Sequence, residues 1–305
     1  MTDIYYIDRQ SKKKEKEKVY GRAFIEALYG NGVISKIFSF FFLPLVAKVP
    51  LFSRLYGLFQ SSKWSKPKVS KFINAFAVDP KEFLESPTSY GSFNDFFIRK
   101  LHPEARPICQ ENTVAVMPAD ARYLFYPHIE KSDGFLIKGE KFSLSELLQD
   151  GGLAETYRCG AMVIARLCPT DYHRFHFPCS CVPDKPKLIN GPLYSVNPLA
   201  LKKNIHILCQ NKRMLTKLHT KNFGTILYIE VGATYVGSIH QSFIPHESYA
   251  KGEEKGYFSF GGSSLNLLFE PNKICFDQDL LDISAKKIEV RALLGQSMGS
   301  CLNVV

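Results

Sequence analysis

From residue 113 onward the chain is written as short runs of β-branched and aromatic residues alternating with polar ones, with Gly, Asn or Pro between the runs. Period-two alternation sends successive side chains to opposite faces, so each run reads as a strand with an apolar face to bury. The runs fall at 123–126, 135–138, 161–167, 188–195, 205–209, 214–219, 225–232 and 234–239. Short helices are predicted at 144–148, capped by Ser143, and near 280–283. No regular strand–helix–strand alternation supports a parallel sheet. The fold class expected is therefore α+β, with a β-rich, mostly antiparallel core.

The first hundred residues follow another rule. Phe72, Ile73, Phe76, Phe83, Leu84, Phe93, Phe96, Phe97 and Leu101 recur at helical spacing, and Pro80 and Pro87 divide them into three short helices. The stretch 61–70 reads as a linker. Residues 33–61 are apolar and aromatic, with Lys36, Lys48 and Arg54 set among Phe and Leu, and Pro44 and Pro50 break any long helix. The longest uncharged part, 37–47, is 11 residues, against about 20 for a spanning helix. This pattern predicts an all-helical N-terminal arm lying in a membrane interface, its basic side chains reaching the headgroups. A helical hairpin packed on the core is the alternative. The expected division is a basic, amphipathic, membrane-associating region at 1–70 and a domain carrying the chemistry at 71–305.

Charge narrows the partners. Lys and Arg number 39 against 29 Asp and Glu, a net +10, which favours an anionic partner. No zinc-finger spacing, RNP-like string or Arg-rich recognition helix is present, so an acidic membrane surface is expected and no nucleic acid. The first 20 residues are too polar for a secretory signal. Eight scattered cysteines without a CxxC pair read as reduced cytosolic thiols, and no metal is assigned.

Three motifs carry chemistry. KGEEKGYFSFGGSS, residues 251–264, sets Gly-Gly before Ser-Ser. Such a run is ordinarily a turn. Here Tyr257, Phe258 and Phe260 precede it and Leu265, Leu267, Leu268 and Phe269 follow, which describes a strand broken by glycines. Gly262 leaves its carbonyl open to attack, and Ser263 supplies a hydroxyl one residue on. DYHRFHFP, residues 171–178, sets His173 and His176 three apart. The pair is half a zinc site at most, whereas imidazole suits proton transfer near neutral pH. MPADAR, residues 117–122, contributes Asp120, either a turn or cap aspartate or the group that fixes the tautomer of a catalytic histidine. Asp120, His176 and Ser263 would make a triad, which geometry rather than chain order defines.

Together with GPLYSVNP at 191–198, VGATYVGSI at 231–239 and FNDFFIRKLHPEARPI at 93–108, these motifs resemble the phosphatidylserine decarboxylase family, in the family's order over roughly residues 90–275. The family's processing motif is often Leu-Gly-Ser-Thr, with a Gly-Gly-Ser-Thr form. Here it is Gly261-Gly262-Ser263-Ser264, and Ser263, directly after glycine, is taken as the processed residue. The resemblance implies that His176, oriented by Asp120, deprotonates Ser263, and that the chain cuts itself between Gly262 and Ser263. Ser263 would become a covalent pyruvoyl cofactor. The products would be a β chain, 1–262, and an α chain, 263–305, held as a heterodimer, with higher oligomers left open. The pyruvoyl ketone would form a Schiff base with phosphatidylserine in the bilayer and release carbon dioxide. His173 would donate the proton that completes phosphatidylethanolamine, and His176 is a secondary candidate in these transfers. The setting implied is peripheral, on the cytoplasmic side of the cell membrane.

Two other functions compete. A lipid hydrolase would want Ser263 in a Gly-x-Ser-x-Gly elbow between strand and helix, yet 265–269 reads as a strand. A non-catalytic membrane-binding module would leave the histidine motif without a use.

Overall fold

Two strands, Ala161–Leu167 and Ser263–Phe269, are buried at every position, and they lie side by side in register from Ala161 opposite Phe269 to Leu167 opposite Ser263. A strand apolar on both faces must be covered on both faces. The computed structural model describes residues 3–30, 32–130, 136–137, 140–141, 143–201, 203–204, 206–233, 239–261 and 263–302.

These two strands are central in a sheet that has ten strands among the described residues. On one side of the pair lie Thr225–Gly232, Arg213–Thr220 and then Lys187–Ile189, with Cys181–Pro183 also paired to Arg213–Thr220. On the other lie Ala121–Tyr126, Glu289–Ala292, Tyr5–Asp8 and Lys14–Lys16. All pairings in this sheet are antiparallel except Tyr5–Asp8 with Glu289–Ala292.

Alternation sorts the side chains into two cores. Val163, Ala165, Leu167, Tyr228, Leu265 and Leu267 face Phe175, Phe177 and Phe258, which belong to a small sheet of Arg174–His176, Glu254–Phe258 and Ile239–Gln241 and its flank. Met162, Ile164, Leu227, Ile229 and Leu268 face the helices Arg22–Tyr29, Leu144–Leu148, Gly151–Tyr157 and Ile207–Gln210. Each fully buried Leu, Ile or Phe contributes about 1.5–3 kcal/mol, so the sheet is held from both sides.

The antiparallel, β-rich α+β core expected from sequence is present. Strands 161–167 and 225–232 lie where alternation predicts them, and 214–219 extends to Arg213–Thr220. Ser143 caps Leu144–Leu148, accepting from the Glu146 N–H at 3.2 Å. Residues 135 and 138 of the 135–138 strand, and 234–238 of the 234–239 strand, lie outside the described residues.

Four expectations need correction. The N-terminal arm is not all helical: Tyr5–Asp8 and Lys14–Lys16 form a hairpin that extends the main sheet before the helices Arg22–Tyr29, Val33–Lys48, Pro50–Gln60 and Lys68–Phe76 begin. Its strands are stabilised by distant charges, Asp8 with Arg291 at 2.8 Å and Arg9 with Asp277 at 2.8 Å, which leave no local pattern. The run 205–209 forms part of the helix Ile207–Gln210, because a short apolar run suits either structure. The strand at 188–195 stops at Ile189; the backbone of Tyr194 bonds instead to the Asn211 side chain, at 3.1 and 2.8 Å. The stretch 61–70 is also better tied than a linker. It contains a 3-10 turn, Lys63–Ser65, and Ser65 is buried, accepting from the Phe93 N–H at 2.8 Å.

Candidate active site

Ser263 opens the central strand with its backbone between Leu167 and Gly232. On its upstream side, Phe260 is wedged among Tyr20, Tyr56, Phe93 and Phe97, and its N–H donates to Asn94 Oδ1 at 3.0 Å. The chain is thus anchored at Phe260 and again from Ser263, with only Gly261 and Gly262 between. Gly261 takes φ 136°, a conformation that side chains resist. Gly262, the other partner in the expected cleavage, lies outside the described residues.

The hydroxyls of Ser263 and Ser264 are buried and have no hydrogen-bond partner among the described residues. An orphan buried hydroxyl costs about 1–3 kcal/mol and calls for a reason. At Ser263 the reason is at hand: an unbonded Oγ one residue after a glycine in sequence is free to react.

His173 is wholly buried and stacked on Phe97, ring centroids 3.9 Å apart. Its Nε2 meets the Cys168 carbonyl at 2.9 Å, and its Nδ1 has no partner. Cys168 directly follows Leu167, the strand partner of Ser263, so this loop brings His173 toward the serine end of the sheet. His176 sits three residues on, its N–H donating to the Pro118 carbonyl at 2.8 Å and its Nδ1 unpartnered. Asp120 lies just beyond Pro118. Its carboxylate accepts from Arg106 Nη2 at 2.7 Å, Arg106 Nε at 3.0 Å and the Leu294 N–H at 2.9 Å. The Asp120 and His176 segments are therefore adjacent, while the carboxylate itself is bonded to Arg106.

Burial pushes His173 down to about 3, with Arg99 and Arg122 adding to the effect and the Cys168 carbonyl opposing it. Burial pushes His176 down to about 4, against the opposing charges of Glu254 and Asp120. Both rings are neutral at neutral pH, each with a lone pair to offer. Unfolded, each ring binds a proton near its ordinary 6.5. Between 6.5 and about 4 the unfolded chain holds more protons, so stability falls as pH drops through that window and is unaffected above it. The expected loss is about 1.4 kcal/mol per pH unit for each histidine. Urea unfolding at pH 7, 6 and 5 measures it, and His173→Gln removes one histidine's share of the slope.

Alternation and motif spacing miss the groups that tie the motifs together. Arg122 of MPADAR pairs with Asp171 of DYHRFHFP. Arg106 pairs with Asp120 and also with Glu82 at 2.9 Å. Arg174 pairs with Glu254 at 2.8 Å, and Lys255 pairs with Glu230 at 2.5 Å, both groups fully buried. The available signal was opposite charge inside separate motifs of an otherwise apolar core.

Beside Gly261 opens a cavity of about 540 Å³. Phe24, Ile25, Leu28 and Tyr56 form an apolar wall, and Arg166 and Asn197 form a polar edge. Among the described residues no cluster of three or more His, Cys, Asp or Glu is arranged to hold a metal ion.

A family model described as phosphatidylserine decarboxylase matches residues 93–300. A phosphatidylserine decarboxylase proenzyme of Chlamydia pneumoniae is 48% identical over 294 residues, which is 96% of each chain. Proenzymes of the same description from Chlamydia felis and Chlamydia muridarum are each 45% identical, over 99% and 97% of both chains.

Proposed function

Because this chain belongs to the phosphatidylserine decarboxylase family, a carboxy-lyase made as a proenzyme, we propose how its own residues carry out processing and decarboxylation. The observation that carries the reading is the buried, unbonded Ser263 hydroxyl, set directly after a glycine pair strung between two anchors.

Neutral His176 takes the Ser263 proton, and the negative charge of Asp120 nearby stabilises the imidazolium that forms. Ser263 Oγ bonds to the Gly262 carbonyl carbon, the peptide C–N bond breaks, and the nitrogen of residue 263 leaves as an amine. Loss of the Ser263 α-proton then breaks the Ser263 Cβ–Oγ bond, so that Oγ leaves with Gly262 as its carboxylate. Water converts the remaining enamine to a ketone and releases ammonia. The chains are 1–262 and 263–305, and the antiparallel pairing of Ser263–Phe269 with a strand on each side holds them together.

The residues fit a pyruvoyl group at 263, since the position is buried and no side chain competes for bonds there. Such a group supplies an electron-withdrawing ketone for the substrate amine. The bare Nδ1 of His173 takes a proton from the incoming substrate ammonium and returns it to the substrate carbon after carbon dioxide leaves, from within an apolar wall. The cavity beside Gly261 receives the substrate, its Phe24–Leu28 wall taking acyl chain. Release of labelled carbon dioxide from phosphatidylserine in mixed micelles, and none from free serine, tests this; equal release from both would remove the lipid site.

The neighbouring helix Val33–Lys48 and the turn Lys63–Ser65 carry apolar residues outward. Phe40 and Phe41 are 75% and 66% exposed, and Trp64 is 82% exposed between Lys63 and Lys66. No helix among the described residues is long and apolar enough to cross a membrane. We infer a peripheral docking face for an anionic bilayer, on the cytoplasmic side, which delivers a two-tailed substrate directly to the cavity. Exchanging both Phe40 and Phe41 for serine is expected to weaken co-sedimentation with anionic vesicles about a hundredfold. Micellar turnover, which needs no bilayer docking, is expected to change little.

A further inference from the structure

The proposed role of His173 requires one particular ring nitrogen to be free, and the structure assigns Asp171 as the positioning residue that fixes which one, with Glu17 of the N-terminal hairpin completing its support. The inference rests on that proposed role only for its consequence in catalysis.

A carbonyl oxygen can only accept, so the neutral His173 ring carries its hydrogen on Nε2, facing the Cys168 carbonyl at 2.9 Å. Nδ1 is left bare, buried and unpartnered. The tautomer is therefore only as well defined as the Cys168 peptide. Asp171 clamps residue 168 on both sides, through the two consecutive peptide groups that flank its Cα. Its carboxylate accepts the Cys168 N–H at 2.7 Å, and its own N–H donates to the Cys168 carbonyl at 2.8 Å. Without the carboxylate, residue 168 keeps only the bond to its carbonyl, the preceding peptide is unpinned, and the carbonyl turns more easily away from the ring.

Asp171 is itself held by a buried set of charges. Arg122 bonds its carboxylate. Arg122 and Arg166 lie opposite each other on adjacent strands, and Glu17 lies against both, bonding Arg166 at 2.6 Å and approaching Arg122 at 3.8 Å. Glu289 takes the other side of Arg166 at 2.6 Å, and Arg166 Nη1 reaches the Cys168 thiol at 3.0 Å. Glu17 is separated from Arg166 by 149 positions and arrives only because the hairpin Tyr5–Lys16 joins the sheet. Two arginines side by side need this third carboxylate, or Arg122 and Asp171 lose their fixed geometry. The N-terminal hairpin is by this account part of the reaction centre.

The test uses processed protein labelled with ¹⁵N in histidine, with the His173 ring assigned by its loss in His173→Gln. Ring nitrogen shifts report the tautomer directly. Wild type is expected to show a single Nε2–H form at pH 7. Asp171→Ala is expected to show both tautomers, with kcat lower by about tenfold to a hundredfold and KM unchanged. Asp171→Asn replaces the charged oxygen that takes both Cys168 N–H and Arg122 with a neutral amide oxygen, weakening both bonds, and gives a smaller shift of both readouts; it decides the matter where the alanine variant does not fold. A single unchanged tautomer in Asp171→Asn, whatever its kcat, overturns the assignment. Mixed tautomers with unchanged kcat uphold the positioning by Asp171 and refute instead the proposed role of His173. Glu17→Gln is expected to shift the tautomer ratio in the same direction, and an unaltered ratio there removes the hairpin from the account.

Discussion

Ser263→Ala is expected to leave an uncut chain of 305 residues with decarboxylation at the uncatalysed rate, a loss of about a millionfold or more. The substitution removes both the nucleophile that opens the Gly262–Ser263 bond and the leaving group whose elimination makes the precursor of the ketone. Its effect on folding separates this account from a merely structural one. The Ser263 hydroxyl is buried without a partner, so deleting it removes a desolvation cost of about 1–3 kcal/mol and breaks no bond. The variant is expected to melt at the same temperature as the uncut wild-type chain, or higher. Ser264→Ala, with an equally orphaned hydroxyl on the opposite face of the strand, is expected to be cut. Gel separation of the chains, thermal unfolding and carbon dioxide release together check the pair.

His173→Gln is expected to be processed to two chains while turnover falls about 10²- to 10⁴-fold. The ring lies against Phe97 with no counter-ion bonded to it, so its work is proton transfer within an apolar wall. Glutamine offers a comparable shape and an N–H donor for the Cys168 carbonyl, but no group that takes up and returns a proton. His176→Gln is expected to fail earlier, at processing. Scoring chain number and turnover separately for each variant distinguishes the two roles, and a His173 variant that stays uncut would exchange them.

Much of this was legible in the residues, for physical reasons. Ala161–Leu167 and Thr225–Gly232 announce themselves because an unbroken apolar alternation has one use, a buried strand. Ser263, His173, His176 and Asp120 stand out as polar groups within aromatic, strand-forming sequence. The N-terminal hairpin did not, because Lys14, Glu15, Lys16 and Glu17 look like a solvated face. Glu17 is in fact buried against Arg166, in an ion pair closed only by the fold. Arg106, Arg122 and Asp171 escaped for the same cause, since a salt bridge between distant segments imposes no period on either. The helix at Ile207–Gln210 shows the converse limit, where four apolar-leaning residues carry too little pattern to choose.

The decisive measurement is the intact mass of freshly purified wild-type protein, taken with and without borohydride in the presence of phosphatidylserine. The account predicts two chains, 1–262 and 263–305, the shorter lacking a free N-terminal amine and gaining the lipid's mass on reduction. A preparation that decarboxylates phosphatidylserine while remaining one uncut chain would contradict it.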